Sequence, residues 1–162
     1  MGRPLNILMV CQHYWPEHFQ VTEVCEELVR RGHEVTALVG IPNYPTGTVP
    51  EEYLDGKNRE QVHNGVRIIR VEEVPRTPGV AGLARNYLSY MSRADARLES
   101  LPGGYDVIFA YQLTPVLMAE PAMRAKRLFG APSCSTARTS GPTPSWPCCR
   151  RGWASCCPPS AG

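Results

Sequence analysis

Leu5-Asn6-Ile7-Leu8-Met9-Val10-Cys11 is a short, nearly continuous apolar run. A strand buried on both faces of a parallel sheet reads this way, whereas a half-exposed strand alternates. A parallel sheet needs crossovers, and the chain supplies one at once. After the polar and aromatic stretch Gln12 to Gln20, the residues Val21, Val24, Cys25 and Leu28 recur at helical spacing. Arg30 and Arg31 suit the negative end of that helix, and Gly32 suits the left-handed position that ends it. Glu34-Val35-Thr36-Ala37-Leu38-Val39-Gly40 returns to strand character, so the first 40 residues form one right-handed βαβ unit.

The same alternation continues. Residues 41 to 64 are rich in Pro, Gly and charge and read as a long loop. Gly65 to Val71 reads as a strand, with Pro75 and Pro78 breaking the chain after it. From Leu83, the positions Tyr87, Tyr90, Met91, Ala94 and Leu98 hold one helical face, and Pro102-Gly103-Gly104 ends it. Asp106 to Ala110 is a further buried strand. Thr114-Pro115 offers a helix start, Pro121 a kink, and Gly130 a stop after Phe129. The fold class is therefore α/β, a doubly wound, Rossmann-like parallel sheet.

Charge does not point to nucleic acid: 17 basic against 15 acidic residues leave a net +2 over 162 residues. The opening apolar run is too short for a signal sequence or a membrane span, so the body reads as cytoplasmic. No G-x-G-x-x-G follows the first strand, and neither the P-loop nor the serine-hydrolase elbow occurs. In an open parallel sheet, ligands bind at the carboxyl ends of the strands. Those loops hold His13, Tyr14, Trp15, Glu17 and His18, then Asn43, Tyr44 and Pro45, then Tyr111 and Gln112. Aromatic faces interleaved with amide, imidazole and carboxylate groups suit a sugar, whose C–H faces stack while its hydroxyls find partners. Taken singly, His13 or His18 is equally a loop-packing histidine, and Trp15 could serve only to cover the sheet end. Arg30-Arg31, Arg67 and Arg70 read as solvated faces.

Three stretches together resemble a known family: Ile7 to Glu17, Glu26 to Thr36, and Gly40-Ile41-Pro42-Asn43-Tyr44-Pro45-Thr46-Gly47. They resemble the N-terminal domain of retaining GT-B glycosyltransferases, with the WbuB-like enzymes of surface-polysaccharide assembly as the nearest group. Asn64 to Val71 and Leu128 to Pro132 extend the resemblance over residues 5 to 132. It implies two Rossmann-like domains, one facing the acceptor and one holding a nucleotide sugar, of which residues 1–132 are the first. It also implies an acceptor that is a glycan or lipid-linked sugar, approached by His13, Tyr14, Trp15, Glu17, Asn43, Tyr44, Tyr111 and Gln112. Where relatives place a Gly-Gly pair against the donor phosphates, this chain has His18-Phe19-Gln20. The nucleotide sugar is a co-substrate; no cofactor or metal is implied in the chain. Contact with a membrane is at most peripheral, at its inner face.

Residues 131–162 contain no Leu, Ile, Val, Met, Phe, Tyr, Asp or Glu, and they hold five of the seven cysteines. Such a stretch builds no ordinary core. Adjacent pairs such as Cys148-Cys149 lack zinc-site spacing. Residues 133–162 are thus expected to be a disordered tail unlike the family, leaving the sheet edge without its next strand. A one-base frame shift near Pro132 accounts for it: with TCN serines, Ser133-Cys134-Ser135 become apolar codons, and Thr139 to Thr143 permit Asp-Leu-Trp-Pro-Asp. Sequencing the DNA across this stretch decides the point. The resulting expectation is an acceptor-side glycosyltransferase domain, inactive alone. The alternatives are a sugar-binding module or subunit that borrows a donor domain from a separate chain, and a nonfunctional product.

Overall fold

The computed structural model describes residues 3–112 and 119–137. Its elements are β1 (Asn6–Val10), α1 (Gln20–Arg30), β2 (Glu34–Gly40), β3 (Glu60–His63), β4 (Val66–Val71), α2 (Val80–Leu98), β5 (Val107–Gln112), α3 (Glu120–Phe129) and β6 (Ser133–Ala137), with a 3-10 turn at Glu51–Tyr53. The sheet order is β3-β4-β2-β1-β5-β6. All neighbours run parallel except β3, which is antiparallel to β4. The chain winds outward from β1 through β2 to β4, then returns to β5 on the other side of β1. The order therefore reverses between β1 and β5, as expected of a Rossmann-like α/β fold.

The apolar runs are apolar on both faces because each face meets a helix layer. On β1, Leu8 and Val10 join Leu38, Ile69 and Ile108 in a core closed by Tyr90, Ala94 and Leu98 of α2 and Ala122 and Ala125 of α3. Ile7 and Met9 turn the other way, joining Val35, Ala37, Val39 and Ile68 under Val21 and Cys25 of α1. Cutting one of these fully buried side chains back to Ala typically costs about 2–5 kcal/mol. After α1, the Gly32 N–H bonds to the Val29 carbonyl at 2.9 Å and the His33 N–H to that of Leu28 at 3.1 Å. This double closure, with Gly32 at φ +87°, ends the helix where the sequence placed its stop.

Four expectations change. Residues 41–64 are not one loop, because β3 forms a hairpin with β4 across Asn64-Gly65, both at positive φ (47° and 82°) as a tight two-residue turn requires. Arg70 is no solvated side chain: it is 3% exposed, on a strand sandwiched between two layers. Pro121 does not kink a helix but sits in the first turn of α3, where no N–H is needed. The sheet also does not stop after α3, since β6 pairs in parallel with β5 from Ile108–Ser133 to Gln112–Ala137. Thr114-Pro115 falls outside the described residues.

Candidate functional site

The carboxyl ends of β1, β2 and β4 converge on two linked clusters. The first joins the β1–α1 loop to the loop after β2. Glu17 receives the main-chain N–H groups of Asn43 at 2.8 Å and Tyr44 at 2.6 Å on one carboxylate oxygen. Its other oxygen meets Nδ1 of His13 at 2.9 Å. A carboxylate only accepts, so the imidazole proton is placed on Nδ1 and Nε2 is left for a further partner. His13 stacks on Phe19 with ring centroids 5.1 Å apart, and Tyr44 leans on both rings at 5.4 and 5.3 Å. The Arg76 guanidinium lies 5.6 Å from the Tyr44 ring centre. Beside this cluster runs a groove of about 320 Å³ lined by Pro16, Glu17, His18, Phe19, Pro42, Asn43, Tyr44, Pro45, Thr48 and Pro50. Tyr44 presents its ring there at 46% exposure. The Trp15-Pro16 and Tyr44-Pro45 peptides are both cis.

The second cluster lies beneath. Glu73, two residues past the end of β4, is buried together with Gln12, Asn43 and Asn86. Gln12 Nε2 donates to Glu73 Oε2 at 2.9 Å and to Asn86 Oδ1 at 2.8 Å, and Asn43 Nδ2 donates to the other Glu73 oxygen. Among the described residues, no cation pairs with this carboxylate. Burial pushes its pKa up to about 8, and the amide donors only partly offset that rise. Gly40 makes room for it: a Cβ there would lie 2.7 Å from Glu73 Oε2 and 3.0 Å from the Gln12 carbonyl.

Trp15 does not enter the groove. It stacks on His63 of β3 at 4.0 Å, and Arg70 lies 5.8 Å from its ring centre and 4.8 Å from that of Tyr53. Tyr14 is a core residue, 2% exposed, set beside Cys25 beneath α1. Burial raises the Cys25 thiol to about 12, so neither residue is poised for chemistry at neutral pH. Tyr111 and Gln112 lie within β5, not in a loop after it; Tyr111 packs half-buried against the α1-side core and does not line the groove, and the Gln112 side chain lies outside what is described. His18, Phe19 and Gln20 lead into α1, whose first N–H groups receive no side-chain cap. His13, Glu17, Asn43, Tyr44, His18 and Phe19 are thus brought together, whereas Tyr14, Trp15 and Tyr111 are not. The sequence did not single out Glu73, Asn86 or Arg70 as site residues. Their only local signal is polarity inside or directly after apolar, buried-reading stretches.

Sheet order, crossovers and the placement of polar loops define a Rossmann-like α/β domain of the kind that makes up half of a GT-B architecture. The chain belongs to the glycosyl transferase 4-like domain family, whose model matches residues 18–156. Curated proteins provide no match to it. Among solved structures, it resembles two crystal structures of the C-terminal domain of a hydrogenase from Pyrococcus furiosus. One is 21% identical with a TM-score of 0.57, covering 85% of this chain and 94% of that one. The other is 20% identical with a TM-score of 0.54, covering 83% and 96%. TcCGT1, solved in complex with UDP, is 11% identical with a TM-score of 0.53 over 82% of this chain, which spans 28% of TcCGT1. At these identities the likeness is one of fold. Membership in the family assigns the domain to glycosyl transfer. Among the described residues, no helix is long and apolar enough to cross a membrane.

Proposed function

We propose that this chain is the acceptor-side domain of a retaining, WbuB-like glycosyltransferase of polysaccharide or glycoconjugate assembly, acting in the cytoplasm, where a second domain or a separate chain holds the nucleotide sugar. The observation that carries this reading is the His13–Glu17 pair, fixed by two main-chain N–H groups beside a groove walled by Tyr44 and Phe19. The aromatic walls offer faces for the C–H side of a sugar ring, and the imidazole Nε2 offers a partner for a hydroxyl. The acceptor is a glycan or lipid-linked sugar held by His13 and Tyr44, with Asn43 shaping the loop beneath them. The uncapped start of α1 at His18-Phe19-Gln20 would face the donor phosphates, since free N–H groups at a helix N-terminus favour anions. Glycosyl transfer depends on holding the reacting groups together, so this chain alone turns over no nucleotide sugar.

Saturation-transfer NMR on the purified chain with a panel of methyl glycosides tests this. The expected result is weak binding of at least one glycoside, lost in Tyr44→Ala, with no transfer from any nucleotide sugar. Sugar transfer by the isolated chain, or no glycoside bound across the panel, would overturn it.

A further inference from the structure

Glu73 is the one buried carboxyl of the carboxyl-end cluster that the acceptor reading leaves without a role. Its partners come from three separate places: Gln12 directly after β1, Asn43 in the loop after β2, and Asn86 on α2, linked through Gln12. The orientation of each amide is fixed by other bonds. Asn43 Nδ2 also donates to the Ile41 carbonyl at 2.8 Å while its Oδ1 accepts the Arg76 N–H at 3.2 Å. Asn86 Nδ2 donates to the Val74 carbonyl at 2.8 Å, which turns its oxygen toward Gln12. The amides of Gln12 and Asn43 therefore present N–H groups to Glu73, and neither can turn over without breaking a second bond. Each Glu73 oxygen thus accepts one amide N–H, which the carboxyl can do with or without its proton, because both oxygens keep lone pairs.

We propose that Glu73 is a positioning residue for the groove: a buried carboxyl that draws the β1–α1 loop and the loop after β2 together, and so holds the Asn43 and Tyr44 N–H groups on Glu17. That the groove receives an acceptor rests on the reading above; the positioning itself needs no sugar. Burial favours the neutral carboxyl, because desolvation raises Glu73 to about 8 and the negative charge of Glu17 adds to the rise. The remaining titratable groups that face it are Tyr90 on α2 and, next to that tyrosine, Cys11 at the end of β1, both raised by burial themselves. The closed pair holds the Glu73 proton more tightly than an opened, solvated carboxyl would, so the loops are complete below about pH 8 and loosened as Glu73 ionises in alkaline solution.

NMR on the full chain tests this without any ligand. In the native protein the Asn43 and Tyr44 amide resonances and the His13 ring resonances should move together with an inflection near pH 8, matching a ¹³C-labelled Glu73 carboxyl. In Glu73→Gln, which keeps the size but turns a donor toward a donor, that inflection should vanish. Below pH 8 the same resonances should be displaced from their native positions while Leu8 and Ile108 overlay. An inflection kept in the variant overturns the proposal. If the variant does not fold, the native titration decides alone: loop resonances that do not follow the Glu73 carboxyl overturn it. Failure of glycoside binding in the native chain would instead count against the acceptor reading and leave these titrations unaffected.

Discussion

Arg70 reaches from the carboxyl end of β4 to the β1–α1 loop, where its Nη2 donates to the main-chain oxygen of Trp15 at 2.6 Å. The same guanidinium donates through Nη1 to Gln61 of β3 at 2.7 Å and lies over the Tyr53 ring. One fork thus ties the edge strand β3, the 3-10 turn and the first loop to β4 beside it. Its charge is shared among neutral partners, so its worth lies in geometry, which Lys cannot copy.

Arg70→Met should destabilise the domain on the order of 2–3 kcal/mol, because it leaves the Trp15 and Gln61 oxygens without their charged donor. Arg70→Lys should recover less than half of that loss. Denaturant unfolding of the three proteins measures both; equal stability of native and Arg70→Met chains would contradict the tying role.

Glu17→Gln keeps the volume but offers one accepting oxygen to a site with donors on both. The His13 ring should lose its fixed proton position, and glycoside affinity should fall about tenfold, roughly 1.4 kcal/mol. The stability change should stay near 1 kcal/mol, since one main-chain bond can persist. Binding titration beside thermal unfolding separates the two effects. A variant that binds as the native chain does would remove Glu17 from the site.

Glu73 makes stability fall as pH rises. Its folded pKa, about 8, lies above the unfolded carboxyl value, so the folded state holds the extra proton between the two. Stability is fully retained below the unfolded pKa and declines across the window from about 4.5 to 8, by at most about 1.4 kcal/mol per pH unit. Above pH 8 the decline stops. Unfolding free energies at pH 5, 6.5 and 8 should show this slope in the native chain and a flatter one in Glu73→Gln.

Gly40→Ala should cost about 1–3 kcal/mol, because its new methyl group would fall within 2.7 Å of the Glu73 carboxylate. Removing that carboxylate should relieve the clash. Gly40→Ala with Glu73→Ala should then be more stable than the sum of the single changes implies, and additive values would show that the two positions do not press on each other.

The sheet was legible in the sequence because β1, β2, β4 and β5 are apolar on both faces and the helices carry clean stripes. Strand β3 was not, since Glu60-Gln61-Val62-His63 lies at an edge and has little apolar signal. Its one clue was Asn64-Gly65 before Val66, a tight-turn pair hidden inside a polar stretch. The groove residues His13, Glu17, Asn43 and Tyr44 were found because they sit directly after strands. Arg70 was misread for a different reason: an arginine on a strand usually faces water, and its partners stand at positions 15, 53 and 61. Glu73 draws on Gln12, Asn43 and Asn86, so only the folded sheet assembles its surroundings. Ser133-Cys134-Ser135 lacks the apolar character of the other parallel strands, yet it takes the next sheet position through main-chain pairing with β5.

The stack of Trp15 on His63 has an optical consequence. A ring stacked on an indole changes the surroundings of its excited state and hence its emission. Trp15 is the only tryptophan among the described residues; Trp146 and Trp153 lie outside them. The light this ring emits therefore reports whether the first loop is still docked on the edge hairpin. The protein carries a built-in lamp on the wall of its groove loop, readable in a cuvette without any label.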